Sequence, residues 1–326
     1  MNYEGQICRA PMERSSFMLP VMVGCSYNNC KFCNLFRHLK YRVLPIEQVE
    51  AELKRVYDIG GKPEKIFLGD GNAFGLPTDH LMVILDMIHH YFPECQCINM
   101  DATVTAVLKK SDEELKILYE NGVRHLYIGI ESGLDDVLRF MHKDHNLAQA
   151  YEAVGRLHRA GLIYDAHIMT GVAGKDRGVE NAQAMADFLA RTRPRHVVNF
   201  SMFLSQEVPL YQDIVKGNFK PADELENLRE EHELLTILSR DFLEHEGKMQ
   251  SCSSEAHEMI YDGFHDYIEF RVRGTLPKDH EKMLRKLEKA IETYENTDRP
   301  PLYAIVRGEC PHLEKCEDHS PVWSTF

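Results

Sequence analysis

The chain has 326 residues, of which 44% are hydrophobic and 27% charged, and its formal net charge is −13 at pH 7. A chain of this length can bury a hydrophobic core that is stable without disulfide bonds or bound metal ions. No apolar run approaches the roughly 18 residues that cross a bilayer. The acidic balance disfavours a nucleic-acid partner, because phosphate binding draws on clustered Lys and Arg. We therefore expect a cytoplasmic globular protein without a membrane partner, acting on a small molecule or a protein.

Short apolar runs alternate with helical segments from residue 19 to about residue 205, which is the pattern of repeated βα units around a parallel sheet. The predicted strands are 19–23, 65–68, 97–100, 125–130, 164–169 and 196–204. Right-handed crossovers would curl six such strands into a partial (β/α)6 TIM-type barrel. The active site of such a barrel lies at the carboxyl ends of its strands.

The helical segments carry end signals. The stretch PIEQVEAELKRVYDIGG opens on proline and closes on glycine, which favours a helix between them. Ser111 with Glu114 three residues later is a capping-box pattern, and Gly122 closes that helix. These signals place helices between successive strands, as a barrel requires.

Beyond residue 205 the alternation stops. Residues 221–247 predict one acidic helix, residues 279–296 another that is rich in Lys and Glu, and residues 297–326 an irregular tail. We therefore divide the chain into a barrel with an N-terminal extension, residues 1–205, and a C-terminal helical lobe with its tail, residues 206–326.

Three of the nine cysteines lie close together in GCSYNNCKFCN, directly after the first predicted strand. Thiolates of Cys25, Cys30 and Cys33 could hold three irons of a [4Fe–4S] cluster and leave the fourth iron open to an exogenous ligand. A zinc site is the alternative, although a closed zinc site needs a fourth ligand and only Cys30 and Cys33 have the Cys-x2-Cys spacing. A chance grouping is the third interpretation.

The cysteine loop resembles that of the radical S-adenosylmethionine (SAM) superfamily, whose usual spacing is Cys-x3-Cys-x2-Cys. Here four residues, SYNN, separate the first two cysteines. The blocks IFLGDGNAFGLP, LYIGIESGLDDVLRFMHKD, IMTGVAGKDRGVENA and GTLPKDHEKMLRKLEKAIE resemble, in the same order, a branch near the oxygen-independent coproporphyrinogen oxidases and the Elongator catalytic subunit. The resemblance extends from the N-terminus to about residue 296.

The resemblance implies a radical enzyme. The three cysteines would bind a [4Fe–4S] cluster, and SAM would chelate the open iron. One electron, delivered by a flavodoxin- or ferredoxin-type reductant, would cleave SAM to a 5′-deoxyadenosyl radical. That radical would abstract hydrogen from a small-molecule substrate.

The resemblance also implies SAM contacts at strand ends. These are Phe32 beside the adenosine, Gly69, Asp70 and Gly71 at the amino group, Glu131 and Ser132 at the ribose or amino group, Arg139 or Lys143 at the carboxylate, and Gly171 and Leu204 near the adenine. Some of these positions have a structural alternative: aromatic packing under the cluster for Phe32, a tight turn for residues 69–71, a helix N-cap for Ser132, and a solvated helix charge for Arg139 and Lys143.

Two further sets of residues are candidates for substrate or metal binding. Asn99 and Asp101, at the end of the third predicted strand, are candidate substrate contacts, with loop capping as the alternative. The tail offers soft ligands for a zinc ion, or for an auxiliary cluster together with Cys252. The tail ligands are Cys310, His312, Cys316 and His319.

Two rival classes of protein share the cysteine loop. One is a zinc-stabilised barrel that acts as a binding module. The other is an electron-transfer iron–sulfur protein whose cluster does not respond to SAM.

Overall fold

The computed structural model describes residues 4, 8–246, 258–265 and 270–296. This part of the chain contains ten strands: β1 (Phe17–Pro20), β2 (Met22–Val23), β3 (Arg42–Val43), β4 (Lys65–Gly69), β5 (Cys97–Ala102), β6 (Val123–Glu131), β7 (Ile163–Thr170), β8 (His196–Ser201), β9 (Met259–His265) and β10 (Phe270–Leu276). It also contains ten α-helices: α1 (Ile46–Asp58), α2 (Thr78–Tyr91), α3 (Val104–Lys109), α4 (Asp112–Glu120), α5 (Asp135–Phe140), α6 (Leu147–Ala160), α7 (Gly178–Thr192), α8 (Leu210–Val215), α9 (Glu224–Glu246) and α10 (His280–Glu295).

Eight strands form one sheet in the order β1-β4-β5-β6-β7-β8-β9-β10, and β2 pairs with β3 in a separate antiparallel ribbon. Strand β1 runs parallel to β4, β4 to β5, β5 to β6, β7 to β8 and β8 to β9, whereas β10 returns antiparallel to β9. A mostly parallel sheet with helices in its crossovers confirms the predicted α/β class. Strands β1 and β4 to β8 correspond to the six predicted barrel strands.

The described residues group into two compact units. The first consists of the described residues up to Gly129 together with Ala148–Asp165, and the second of Ile130–Leu147 together with the described residues from Ala166 onward. The predicted boundary at residue 205 remains a prediction.

The first unit has an apolar core around its central strands. Ile66, Phe67 and Leu68 of β4 are fully buried, as expected of a parallel strand that is covered on both faces. The Phe67 ring lies 6.1 Å from the ring of Tyr127 on β6, and both pack with Met18 of β1. These contacts fix the strands whose carboxyl ends carry the cysteine loop and the turn after β4.

In the second unit, helix α9 packs on α7 and on α10. Leu228, Leu235 and Leu238 of α9 are buried, as is Leu189 of α7. The two C-terminal helices predicted from the sequence are therefore present as α9 and α10. Helix α9 begins three residues after its predicted start, and the other three ends lie within one residue of the predicted bounds, close to the usual scatter of helix ends.

The capping-box prediction is confirmed at α4. The Ser111 hydroxyl accepts a hydrogen bond from the Glu114 N–H at 3.1 Å, and the Glu114 carboxylate accepts one from the Ser111 N–H at 2.6 Å. Gly122, just past the helix, has φ of +94°. A left-handed residue closing a helix favours glycine, because glycine has no Cβ to clash.

The structure corrects two predicted strands. The run predicted as one strand over 19–23 forms β1 and then β2, because Pro20 lacks an N–H for further pairing and the Val21 N–H donates to the Gly69 carbonyl instead. The sixth strand ends at Ser201 rather than residue 204. Beyond it, the segment predicted to be helical also supplies β9 and β10, which extend the sheet.

Within the residues that the structure describes, no helix is both long and apolar enough to cross a membrane. The predicted tail metal ligands and Cys252 lie outside the described residues. Their role stays a prediction.

Candidate active site

The predicted cluster ligands lie in the first unit, in the loop that follows β2. Cys25, Cys30 and Cys33 form no disulfide bond and are partly exposed. Gly24 and Asn28 have φ of +79° and +43°, the left-handed conformation that lets a short segment fold back on itself. One folded loop therefore carries three cysteine side chains of the type that ligates iron.

Arg37 holds this loop from within the first unit. Its Nε donates to the Cys33 carbonyl at 2.7 Å, and its Nη2 donates to the Cys30 carbonyl. Because a guanidinium presents its donors in a rigid fork, one side chain fixes the spacing of two cysteines. The sequence did not predict this role of Arg37. A basic residue four positions after a cysteine gives no sign that its side chain will bind backbone carbonyl groups of the loop.

The turn after β4 packs directly on the cysteine loop. Gly71 has φ of +47°, and a Cβ built there would lie 2.6 Å from the Gly24 carbonyl oxygen and 2.8 Å from the Cys25 Cα. Both distances are shorter than van der Waals contact, so only glycine fits. The turn predicted to bind the amino group of SAM and the predicted cluster loop are thus in contact.

Asn72 fastens the same turn to two neighbouring segments. Its Nδ2 donates to the Ser26 hydroxyl at 3.0 Å, and its Oδ1 accepts from the Thr103 N–H at 3.1 Å. One amide therefore joins the cysteine loop, the turn after β4 and the end of β5. Sequence reasoning missed this role, although Asn72 directly follows Gly71 in the predicted motif.

Asp70 offers an unused acceptor. It is 5% exposed, and its buried Oδ1 has no hydrogen-bond partner among the described residues. Burial raises the pKa of Asp70 to about 7. Buried polar atoms are nearly always hydrogen-bonded, so this oxygen marks a position for a donor supplied by a ligand.

Cys8 and Asp101 lie near the same loop. Burial raises the pKa of the Cys8 thiol well above its usual range, and Asp101 and Cys33 raise it further. Burial also raises the pKa of Asp101, with Glu13 and Asp70 adding to the effect. The surroundings of the loop are therefore acidic, and they keep the Cys8 thiol protonated.

Asn99, a candidate substrate contact, uses both ends of its amide inside the protein. It is fully buried, its Nδ2 donates to Glu13 Oε1 at 2.8 Å, and its Oδ1 accepts from the His125 N–H at 3.0 Å. Tyr127 donates to the same Glu13 oxygen at 2.5 Å. These bonds give Asn99 a structural part in the first unit.

In the second unit, two predicted SAM contacts pair with each other. Lys143 Nζ lies 3.2 Å from Glu131 Oε1, and the two side chains are only 7% and 11% exposed. Glu131 has φ of +66°, a strained conformation for a residue other than glycine that the surrounding structure must impose. The pair holds one carboxylate in a fixed place at the end of β6, and this carboxylate retains further acceptor sites.

Ser132 and Arg139 differ in their surroundings. The Ser132 hydroxyl is buried, donates to Asn181 Oδ1 at 2.6 Å and accepts from the Leu134 N–H at 3.1 Å. The Arg139 side chain is exposed. The two hydrogen bonds of the buried Ser132 hydroxyl therefore stabilise the turn after β6.

The remaining predicted SAM contacts lie at other segment ends. Gly171, after β7, has φ of +80° and its N–H donates to Glu230 Oε2 at 2.8 Å. Leu204, in the same unit, is buried. Phe32, beside Cys33 in the first unit, is partly exposed. Their predicted contacts with SAM stay predictions.

Comparison with known families assigns the class of the protein. Residues 19–189, just over half of the chain, match the family model of the radical SAM superfamily. The chain therefore belongs to the radical SAM superfamily, whose members are enzymes, and the predicted resemblance is confirmed.

Among curated proteins, the chain is 24% identical over 185 residues to the tRNA-2-methylthio-N(6)-dimethylallyladenosine synthase of Chlorobium luteolum (strain DSM 273 / BCRC 81028 / 2530), covering 55% of this chain and 41% of that protein. It is 22% identical over 195 residues to the heme chaperone HemW of Bacillus subtilis (strain 168), covering 58% of this chain and 51% of that protein. The chain thus spans about half the length of these relatives or less.

Among solved structures, coproporphyrinogen III oxidase (HemN) from Escherichia coli, described as a radical SAM enzyme, aligns with a TM-score of 0.55 at 13% identity. The alignment covers 69% of this chain and 52% of that chain. At this identity the likeness concerns the fold, and with the family match it confirms the predicted partial (β/α)6 TIM-type fold class.

The residues present in the first unit fit the cofactors that the family implies. Reduced cysteines are the ligands that iron–sulfur clusters take from proteins. Gly71 allows close approach of backbone, and the buried Asp70 oxygen is an acceptor that an ammonium group would satisfy.

Proposed function

We propose that this protein holds a [4Fe–4S] cluster on Cys25, Cys30 and Cys33 and binds SAM at the iron that no side chain ligates. The chemistry that the cluster supplies when bound is one-electron reductive cleavage of SAM to a 5′-deoxyadenosyl radical. The protein then directs this radical to a hydrogen atom of its substrate.

The observation that best supports the proposal is the contact between the turn after β4 and the cysteine loop. Gly71 packs against Cys25, and the adjacent Asp70 has a buried oxygen in need of a donor. A cluster ligand and an acceptor for the ammonium of SAM thus lie in adjoining segments of one unit. A loop that served only a structural zinc ion would have no use for that acceptor.

The residues of this chain have separate tasks in the proposal. The three cysteines ligate iron, and Arg37 keeps two of them at a fixed spacing. Asp70 accepts hydrogen bonds from the SAM ammonium. The cofactor itself carries out the difficult bond cleavage, while the protein binds, orients and excludes water.

Further SAM contacts are proposed at the predicted strand ends. These contacts are Phe32, Gly69, Gly71, Glu131, Ser132, Arg139, Lys143, Gly171 and Leu204. Glu131 is the most specific of these, because a carboxylate held by Lys143 accepts well from ribose hydroxyls.

The proposed substrate is a small molecule. The net charge of −13 would repel a polyanion, and nucleic-acid binding depends on clustered cations. One relative is named as a tRNA-modifying synthase, so tRNA is the competing substrate class. The proposed electron donor is a protein of the flavodoxin or ferredoxin type.

Electron paramagnetic resonance (EPR) of the reduced, reconstituted protein tests the proposal. The [4Fe–4S] signal should change when SAM is added, since SAM would bind the cluster directly. An unchanged cluster signal would indicate an electron-transfer protein. A colourless protein that holds zinc after oxygen-free purification would indicate a zinc module instead.

A further inference from the structure

Helix α9 carries charged and polar side chains on its buried face. Asn227, Glu230 and Glu231 are 1%, 2% and 0% exposed, and their spacing places them on the same face as the buried Leu234 and Leu238. Glutamate is almost never fully buried unless it is paired. Two adjacent buried glutamates therefore need specific partners.

Glu230 has one hydrogen-bond partner in the turn after β7 and another on helix α7. Its Oε2 accepts from the Gly171 N–H at 2.8 Å, and its Oε1 accepts from Asn181 Nδ2 at 2.7 Å. Asn181 Oδ1 in turn accepts from the Ser132 hydroxyl at 2.6 Å. One carboxylate thus connects the turn after β7 with the turn after β6.

Glu231 fixes α9 in place beside Glu230. Its Oε1 accepts from Asn199 Nδ2 at 3.0 Å, and its Oε2 lies 2.8 Å from His265 Nε2. The other nitrogen of His265 lies 2.6 Å from Glu224 Oε1. Asn199 also accepts from the Thr170 N–H at 3.1 Å, so the residue before Gly171 is held as well.

Glycines allow α9 to come this close. A Cβ at Gly178 would lie 3.2 Å from the Glu230 side chain, and a Cβ at Gly171 would overlap the Asn227 side chain. Gly171 also has φ of +80°, where other residues are strained. The turn after β7 is therefore built around the polar face of α9.

We propose that Glu230 is a positioning residue for SAM, because it holds Gly171 and, through Asn181, Ser132 at a fixed separation. The inference rests on the proposed function, in which both turns contact SAM. It goes beyond that function by giving the C-terminal segment, outside the predicted barrel, a part in cofactor binding.

Substitution of Glu230 separates this role from simple packing. Glu230→Ala removes the acceptor for the Gly171 N–H and for the Asn181 amide, so both turns lose their fixed spacing. Glu230→Gln keeps an oxygen for Gly171, and the Asn181 amide can turn over to accept from the new NH2 group. The Asn181 NH2 then donates to the Ser132 hydroxyl, which has a second lone pair and can accept where it previously donated. The isosteric glutamine variant should therefore retain the fixed spacing of the two turns that the alanine variant loses.

The measurement is the Kd of SAM for the full-length, cluster-loaded protein without reductant, by oxygen-free equilibrium dialysis. Glu230→Ala should weaken binding about tenfold to a hundredfold, by analogy with the loss of a residue that orients a metal ligand. Glu230→Gln should bind nearly as the unmodified protein does. Iron content and the EPR signal without SAM should be unchanged in both.

Leu238→Ala is the matched control. Leu238 is fully buried on the same face, about two helical turns further along α9, so its loss destabilises the helix without removing the acceptor. SAM binding should survive this change.

Two outcomes overturn the inference. One is unchanged SAM affinity in Glu230→Ala, and the other is an equal loss in Leu238→Ala. If the unmodified, cluster-loaded protein does not bind SAM at all, the proposed function itself fails.

Discussion

The backbone of Gly71 lies so close to that of Cys25 that a Cβ at position 71 would stand 2.8 Å from the Cys25 Cα. This contact joins the turn after β4 to the cysteine loop. We expect Gly71→Ala to push the two segments apart, and so to lower both iron content and SAM cleavage. Iron and sulfide per chain after oxygen-free reconstitution measure the first effect.

Gly60→Ala is a suitable control for the strain at position 71. Gly60 also has a positive φ, +78°, but nothing lies within 4 Å of the Cβ position. Either alanine costs about 1–2 kcal/mol for the left-handed conformation. Only Gly71→Ala should lose the cluster, and equal cluster content in the two variants would contradict the proposed role of the contact.

Arg37 should be needed for cluster loading. Arg37→Ala removes hydrogen bonds to the Cys30 and Cys33 carbonyls, each contributing about 1.5–3 kcal/mol for a charged donor. We expect less iron per chain and faster loss of the cluster in air. Arg42→Ala, at an exposed ion pair with Glu4, should retain normal iron content; normal iron in Arg37→Ala would refute this role.

His265 should make stability depend on pH. Burial lowers its pKa, but Glu231 and Glu224 outweigh burial and raise the pKa to about 10. Because the unfolded value is about 6.5, the imidazolium stabilises the fold fully below that pH. This contribution is lost as the pH rises through about 10.

Urea unfolding between pH 8 and 10 measures the contribution of His265. The pKa of Glu230 is about 8, so its titration falls at the lower end of this window and contributes to the slope there, whereas the slope nearer pH 10 reports on His265. His265→Gln should have a shallower fall of the urea midpoint than the unmodified protein. It should also be less stable at pH 7 by about 3–5 kcal/mol, since it leaves buried carboxylates without their cation.

His90→Gln provides the control for this pH series. His90 is exposed in the last turn of α2. Its substitution should leave the dependence of the urea midpoint on pH unchanged. The assignment of the buried cation to His265 would be wrong if His265→Gln followed the same pH curve as the unmodified protein.

Local signals in the sequence were enough to predict much of the first unit. The Ser111 cap, the alternating runs and the cysteine spacing each depend on neighbours a few residues apart. The break after Pro20 was missed because FMLPVMV is one continuous apolar run. Only the contact of Val21 with Gly69, far along the chain, reveals it.

Tertiary pairing explains the larger misses. Strand β9 contains Asp262, a poor strand residue, which is buried and accepts from Arg271 of β10. Neither β9 nor β10 can be predicted from its own sequence, because each depends on pairing with the other. Likewise the acidic sequence of α9 suggests a solvated helix, whereas Glu230 and Glu231 are buried because Asn181, Asn199 and His265 supply their partners.

The most direct test of the central proposal is 5′-deoxyadenosine formation from SAM by the reduced, cluster-loaded protein, measured by mass spectrometry. The unmodified protein should form it, as should Cys95→Ala, which changes a buried cysteine outside the loop. Alanine at Cys25, Cys30 or Cys33 should abolish it. Formation of 5′-deoxyadenosine by all three loop variants, or none by a fully loaded unmodified protein, would contradict the account.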